Sequence, residues 1–437
     1  MSAAERRAVV AGQEVAAGVR RTVLPGGVRV VSENMPGLRS ATLGMWVGVG
    51  SRDETADCYG STHFLEHLLF KGTARRDALS IAEAFDSVGG EANAATSKEH
   101  TCYFARVSDV DLPMAVDVIG DMVANASLSP HEVDVERGVI LEELAMNEDD
   151  PGDVAHERFA EVVMDPNPLA RPIGGTPQAI REVSRERIDE HYRQHYIPPG
   201  LVITAAGGVD HDALCELVAS ALGEWVGADA APLPARGPGS IETFTDGTIL
   251  TVQRPIEQAH VLLGGLGLVA TDPRRYAMSV LTTVLGGGMS SRLFQEVRER
   301  RGLAYSVYSF AAGYSDSGYY GMYAACTPAH VAEVVDVLTD QWRQVAEHSI
   351  TAHELERGIG QLCGSLVLGL EDSGSRMSRL GKSELVYGEY VTLDEALRRI
   401  RAVTVEDVQS LAAELGARPR SLVTVGPMDE DPVTSLG

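Results

Sequence analysis

Cysteine is scarce, with five residues (Cys58, Cys102, Cys215, Cys326 and Cys363) scattered over 437 positions. None forms a Cys-x-x-Cys pair. That excludes a disulfide framework and a thiolate zinc site, and points to a reducing compartment, most simply the cytoplasm. Basic charge is in deficit: 37 Lys and Arg stand against 62 Asp and Glu, for a net charge of −25. A nucleic-acid binder needs a basic face to replace phosphate counterions, so no nucleic-acid partner is expected. No apolar run approaches the roughly 20 residues needed to span a bilayer, and no membrane partner is expected. The opening MSAAERRAVVAGQEVAAG lacks the uninterrupted apolar core of a secretory signal, and its two glutamates weaken a transit-peptide reading. Nucleotide-binding loops are missing too. Gly286-Gly-Gly-Met289 is not followed by the lysine and hydroxyl residue of a P-loop, and GVGSRDE (48–54) and GGLG (264–267) lack the full G-x-G-x-x-G spacing.

What is present is a composition of 44% hydrophobic and 23% charged residues, typical of folded globular chains. The length suits two or three domains. Small residues, proline and glycine concentrate in VGADAAPLPARGPGSIET, which reads as a linker over 226–244. The segments on either side echo each other. VRVVSEN and ATLGMWVGVGSRDE in the first half answer to TILTVQRP and AHVLLGGLGLVATDP in the second. The apolar helical stretch THFLEHLLFKG answers to YAMSVLTTVLGGG, TCYFARV to YYGMYAAC, and HEVDVERG (131–138) to HELERG (353–358). The expectation is an α+β fold of two duplicated domains, each a β-sheet covered by helices. The expected division is an N-terminal tail 1–20, a first domain 21–225, the linker, a second domain 245–430, and a C-terminal tail 431–437.

The chemistry concentrates in His63-Phe-Leu-Glu66-His67. On a helix, residues four apart share a face, so His63 and His67 aim at one point, and Glu66 sits close enough to reach a water held there. Phe64, Leu65, Leu68, Leu69 and Phe70 leave this helix almost no polar side, so it is expected to be buried. Two histidines and a glutamate in that setting call for compensation, and a cation supplies it. An activated water plus a carboxylate base is the minimum for hydrolysing a peptide bond.

A further ligand is expected from HEVDVERGVILEELAMNEDD (131–150), which reads as a helix with Val135, Val139, Ile140 and Leu144 as its apolar stripe. Glu136 and Glu143 are seven residues apart, hence on one face and roughly 10 Å apart along the axis. One can bind a metal while the other orients a ligand. Glu142 points about 100° away from Glu143. Spacing alone does not choose among Glu136, Glu142 and Glu143.

HFLEH followed by ERGVILEE resembles the inverted-zincin peptidases of the pitrilysin and mitochondrial-processing-peptidase group, family M16, most closely its short bacterial members. The resemblance covers nearly the whole chain. It implies that His63, His67 and Glu143, the last lying 76 residues after His67, bind Zn2+. It implies that Glu66 is the general base and Glu136 a carboxylate behind the ligands. Asn93, Ala94 and Thr96, in NAATSKEHT (93–101), resemble the family's edge strand, which binds substrate by strand addition. Arg298 and Tyr305, in RERRGLAY, resemble the arginine and tyrosine that reach the substrate.

In the second copy Met278, Leu281 and Thr282 stand opposite His63, Glu66 and His67, and Cys363 opposite Glu143. The second half therefore cannot repeat the site. In the family it walls a closed chamber, and one chain holding both the zinc motif and the Arg298/Tyr305 pair could work as a homodimer, each site facing the partner's second domain. The expected function is a zinc metalloendopeptidase acting on peptides or unfolded segments. The alternatives are a non-catalytic structural or chaperone-like subunit of the same fold, and a catalytic half that needs a different partner chain. His191-Tyr-Arg-Gln-His195 is a second histidine pair, expected to be structural because Gln194 stands where a base would be needed. The acidic run Glu148-Asp-Asp150 is expected to be a helix-end surface.

Overall fold

A computed structural model describes residues 12–227, 230–237, 247–428 and 433. In chain order the strands are β1 (Gln13–Ala16), β2 (Val19–Val23), β3 (Arg29–Asn34), β4 (Ser40–Val47), β5 (Glu91–Thr96), β6 (Thr101–Ser108), β7 (Leu201–Gly207), β8 (Ile249–Gln253), β9 (Ala259–Leu266), β10 (Ala304–Gly313), β11 (Gly318–Cys326) and β12 (Arg420–Gly426). The α-helices are α1 (Ser61–Leu69), α2 (Ala78–Asp86), α3 (Leu112–Asn125), α4 (Pro130–Asp149), α5 (Pro151–Met164), α6 (Pro177–Glu182), α7 (Arg185–His195), α8 (His211–Leu222), α9 (Arg275–Gly286), α10 (Val331–His348), α11 (Ala352–Gly369), α12 (Ser373–Lys382), α13 (Leu393–Arg401) and α14 (Val405–Gly416). Wide π turns occupy Phe294–Arg300 and Ser383–Tyr387. Among the described residues no helix is long and apolar enough to cross a membrane.

The chain folds into two compact units. One is built from residues 1–144, 172–235 and 369–390, the other from 145–171, 236–368 and 391–437. Sheet order is β1-β2-β3-β7-β4-β6-β5 in the first and β10-β11-β9-β12-β8 in the second. The second repeats the first from its other end. β5, β6, β4, β7 and β3 correspond to β10, β11, β9, β12 and β8, and the parallel pair β3–β7 returns as β8–β12. The duplicated α+β architecture is thus visible in strand order and direction as well as in sequence.

In the first unit β7 is buried along its whole length, and its sequence LVITAAG, apolar except for Thr204, suits a strand covered on both faces. One face carries the main core, built from α1, α3, α7 and α8 with β4 and β7. The other is covered by α12, whose Met377 packs with Trp46, Cys102, Val202 and Ala206. Gly381 permits that approach, because a Cβ there would lie 2.3 Å from the Trp46 ring. The indole donates in turn to Thr204 Oγ1 at 2.8 Å.

The second unit mirrors this layout. On α10, Val331, Val334, Val335, Leu338, Trp342 and Val345 form a helical-period stripe facing the sheet. Trp342 stacks on Tyr320 at 4.3 Å and donates to Ala412 O. The opposite face is covered by α5, with Phe159 fully buried among Leu262, Val423 and Val425. Burying Phe159, Val154 and Val163 is worth about 1.5–3 kcal/mol each, which fixes the 145–171 segment to this sheet.

The units therefore exchange helices. Residues 145–171 fall within the first expected domain (21–225) but pack in the second unit, and 369–390 do the reverse. Both helices read as amphipathic, and amphipathicity does not say which sheet a helix covers. Residues 13–16, inside the expected tail, form β1 against β2. The expected linker is described only at 226–227 and 230–237, and the expected C-terminal tail 431–437 lies outside the described residues apart from Val433. In the acidic run, Asp150 caps α5 by accepting from Gly152 N and Asp153 N, and Glu148 pairs with Arg254.

A capping box from Thr351 to Glu354 opens α11 and overlaps the start of the echo at 353–358. Thr351 Oγ1 accepts from Glu354 N at 3.2 Å, and Glu354 Oε2 accepts from Thr351 N at 2.8 Å. Arg292 adds two bonds to the same carboxylate, at 2.6 and 2.9 Å. Burial pushes the Glu354 carboxyl up, but the bonds from Arg292 and Thr351 outweigh it and hold it down at about 2. The folded value lies below the ordinary 4.5. Its contribution is therefore complete above about pH 4.5 and lost as pH falls toward about 2. Glu354→Gln is expected to lower stability at pH 7 by roughly 1–3 kcal/mol and flatten the pH dependence across that window. Denaturant unfolding from pH 2 to 7 checks this, and parallel curves for wild type and variant would contradict it.

Candidate metal centre

The centre is built in the first unit from α1 and α4. Seven of the nine residues of α1 are buried, including Phe64, Leu65, Leu68 and Leu69. Its remaining face carries Glu66 and His67, with His63 at the edge, 8% exposed. The His63 and His67 rings lie edge to face, centroids 4.8 Å apart.

On α4 the buried residues are Val133, Glu136 and Ile140. This corrects the apolar stripe read from the sequence, since Val135 and Val139 are each 46% exposed. Glu136 takes a place on the inward face, which turns the helix and brings Glu143 toward α1, while Glu142 faces out. Glu143 Oε1 lies 3.5 Å from His63 Nε2, and Oε2 lies 3.2 Å from His67 Nε2. Glu136 stands behind, its Oε2 3.2 Å from His67 Nδ1 and its Oε1 2.7 Å from Lys71 Nζ. Lys71 offsets the charge of a carboxylate that is only 2% exposed. Sequence reasoning missed it, although it follows His67 by four residues, just as His67 follows His63.

His63, His67 and Glu143 bring one ligand atom each to within 4.8 Å of one another, and among the described residues no other such group converges. A tetrahedral shell of about 2.0–2.1 Å radius has edges of roughly 3.3–3.4 Å, close to both histidine–carboxylate separations. Burial lowers the His63 pKa, opposed by Glu143 and Glu66 and reinforced by His67. A neutral imidazole is the form a metal takes. His63 Nδ1 is buried without a hydrogen-bond partner, leaving Nε2 as the nitrogen that points at Glu143. Two imidazoles and a carboxylate with a fourth position free form a zinc-type donor set.

Asn93, Ala94 and Thr96 lie on β5, the edge of the first sheet, paired on one side with β6 and packed against α1. Arg298 and Tyr305 lie in the second unit. The Arg298 guanidinium covers the Phe294 and Tyr305 rings at 4.8 and 4.2 Å, and Tyr305 is 76% exposed. Opposite His63, Glu66 and Glu143 in the repeat, Met278 and Leu281 are buried on α9 and Cys363 on α11, while Thr282, opposite His67, donates its hydroxyl to Met278 O, so the second half carries no equivalent of the site. His191 is spent on structure: its Nε2 lies 2.9 Å from Thr62 Oγ1, and burial with the nearby His195 pushes its pKa down to about 3.

Fold and site together define a duplicated α+β protein whose His-His-Glu centre, among the described residues, lies on its first half only. The model of the family described as "Insulinase (Peptidase family M16)" matches residues 29–177, and that described as "Peptidase M16 inactive domain" matches 182–362. A protein of Streptomyces coelicolor named an uncharacterized zinc protease is 50% identical over 99% of this chain and 95% of its own length. One of the same description in Mycobacterium tuberculosis is 48% identical over 93% of each chain. A crystal structure described as a peptidase M16 inactive domain from Pseudomonas fluorescens superposes with a TM-score of 0.86 at 20% identity, covering 95% of this chain and all of that one. The chain belongs to peptidase family M16.

Proposed function

We propose that the protein is a zinc-dependent metalloendopeptidase that cuts peptides or unfolded protein segments, acting in the cytoplasm. The observation that carries this reading is the convergence of His63, His67 and Glu143 beside Glu66, one helical turn from His63. Zinc bound there would polarise the scissile carbonyl and make water a stronger nucleophile. Glu66 accepts the proton of the attacking water and returns it to the leaving amine. Glu136, held by Lys71, orients His67 through Nδ1 and raises the basicity of its Nε2. The free side of β5 takes an extended substrate by main-chain pairing, which gives affinity without demanding one sequence. The buried, unpaired state of all five cysteines supports the reducing compartment. Hydrolysis of a quenched fluorescent peptide library, abolished by chelation and restored by Zn2+, tests the activity.

The protein acts as a homodimer enclosing a chamber, in which the partner's second domain supplies Arg298 and Tyr305 to steady the substrate carbonyl oxygen. Mixing Glu66→Gln chains with Arg298→Ala chains tests this. If the arginine acts across the dimer, half of the dimers hold one complete site, and roughly a quarter of wild-type activity returns. No recovery on mixing would mean that the arginine acts within its own chain or not at all.

A further inference from the structure

The helix that carries both histidines begins at a residue that cannot cap it. Its N-cap, Gly60, has φ +86° and no side chain, and a Cβ there would lie 2.5 Å from Ile180 Cδ1 and 3.0 Å from Gly174 O. The first-turn N–H groups therefore need a partner from elsewhere. It comes from six residues upstream. Glu54 Oε2 accepts from Gly60 N and Oε1 accepts from Thr62 N, both at 2.8 Å. Glu54 is 5% exposed, and these two N–H groups at the positive end of the helix dipole favour its charged form. Thr62 is gripped twice, by Glu54 on its N–H and by His191 on its hydroxyl, and His63 is the next residue.

Glu54 is itself anchored. It closes the turn Ser51–Asp53, whose backbone is tied to the β5–β6 hairpin: Ser51 N donates to Ser97 O and Arg52 N to Lys98 O. Arg52 pairs with Glu99 at 2.6 Å, with both side chains nearly buried. A Cβ on Gly50 would lie 2.3 Å from the Lys98 backbone, so the two loops are pressed together. Residues 50–54 thus form a strut from the turn after the edge strand to the first turn of α1.

We propose that Glu54 is a positioning residue of the metal centre: it fixes the rotation and height of α1, and through them the aim of His63 and Glu66. This rests on the peptidase reading only for its kinetic half, because the metal readouts stand without it. In Glu54→Gln the amide nitrogen faces one of the two N–H groups, so one bond is lost and the charge with it. The variant is expected to bind Zn2+ 10–100-fold more weakly, the range for groups that orient metal ligands, and to lose a similar factor in kcat with KM little changed. The visible spectrum of bound Co2+ is expected to shift, and Glu54→Asp, which keeps the charge, to recover part of both losses. Thr404→Ala, which removes the capping box of α14 in the second unit, is the stability control. It is expected to lower Tm and leave metal affinity and kcat unchanged. If Glu54→Gln does not fold, Glu54→Asp decides by the same readouts. A folded Glu54 variant with lowered Tm but native Zn2+ affinity, Co2+ spectrum and kcat would overturn the proposal. Wild type that binds Zn2+ and cuts nothing would instead overturn the peptidase reading, and the metal readouts would still judge Glu54.

Discussion

Glu66→Gln is expected to hold metal as tightly as the wild-type chain and to cleave peptides about 10²–10⁴-fold more slowly, the usual contribution of a positioned acid–base group. Glutamine keeps the size of the side chain and its capacity for hydrogen bonding, but it cannot take a proton from water. The side chain lies on α1 between the two histidines in sequence and is half-buried. It is absent from the converging trio of ligand atoms, so its loss leaves the donor set complete. Metal content and kcat measured on one preparation separate the two effects. A variant that loses its metal along with activity would make Glu66 a contributor to binding and leave the base unassigned.

The second large effect concerns adjacent glutamates. Glu143→Ala is expected to weaken Zn2+ binding by more than about 100-fold, beyond the upper range for residues that only orient ligands, and to abolish turnover. Glu142→Ala is expected to change neither. The reason is azimuth: Glu143 reaches both histidines, at 3.5 and 3.2 Å, whereas Glu142 is exposed on the outer side of α4. Titration of the metal-free variants with Zn2+ against a competing chelator reads both outcomes. Equal losses at the two positions would mean that α4 presents a different face.

The contrast also shows where sequence reading ends. The pairing of His63 with His67 is legible because both lie on one helix and the geometry is local. The choice among Glu136, Glu142 and Glu143 is not, because three carboxylates on one helix differ only in which meets the neighbouring helix. That rotation is set by the burial of Val133, Glu136 and Ile140, and the sequence pattern hides it by offering Val135 and Val139 as equally apolar candidates. Glu54 is illegible for a related reason. A glycine N-cap shows that a partner is missing, but nothing in local spacing names a residue six positions earlier. The duplicated fold is legible because β3, β4 and β6 of one half have sequence echoes in β8, β9 and β11 of the other. The exchange of α5 and α12 is not, since both present ordinary apolar faces that either sheet could cover.

The most direct test of the account is to measure zinc content and peptide hydrolysis on the same sample of wild-type protein, before chelation, after it, and after Zn2+ is restored. One zinc per chain, with hydrolysis that disappears and returns with the metal, is the predicted result. A folded chain that carries one zinc at His63, His67 and Glu143, is dimeric, and leaves the whole library uncut would contradict it.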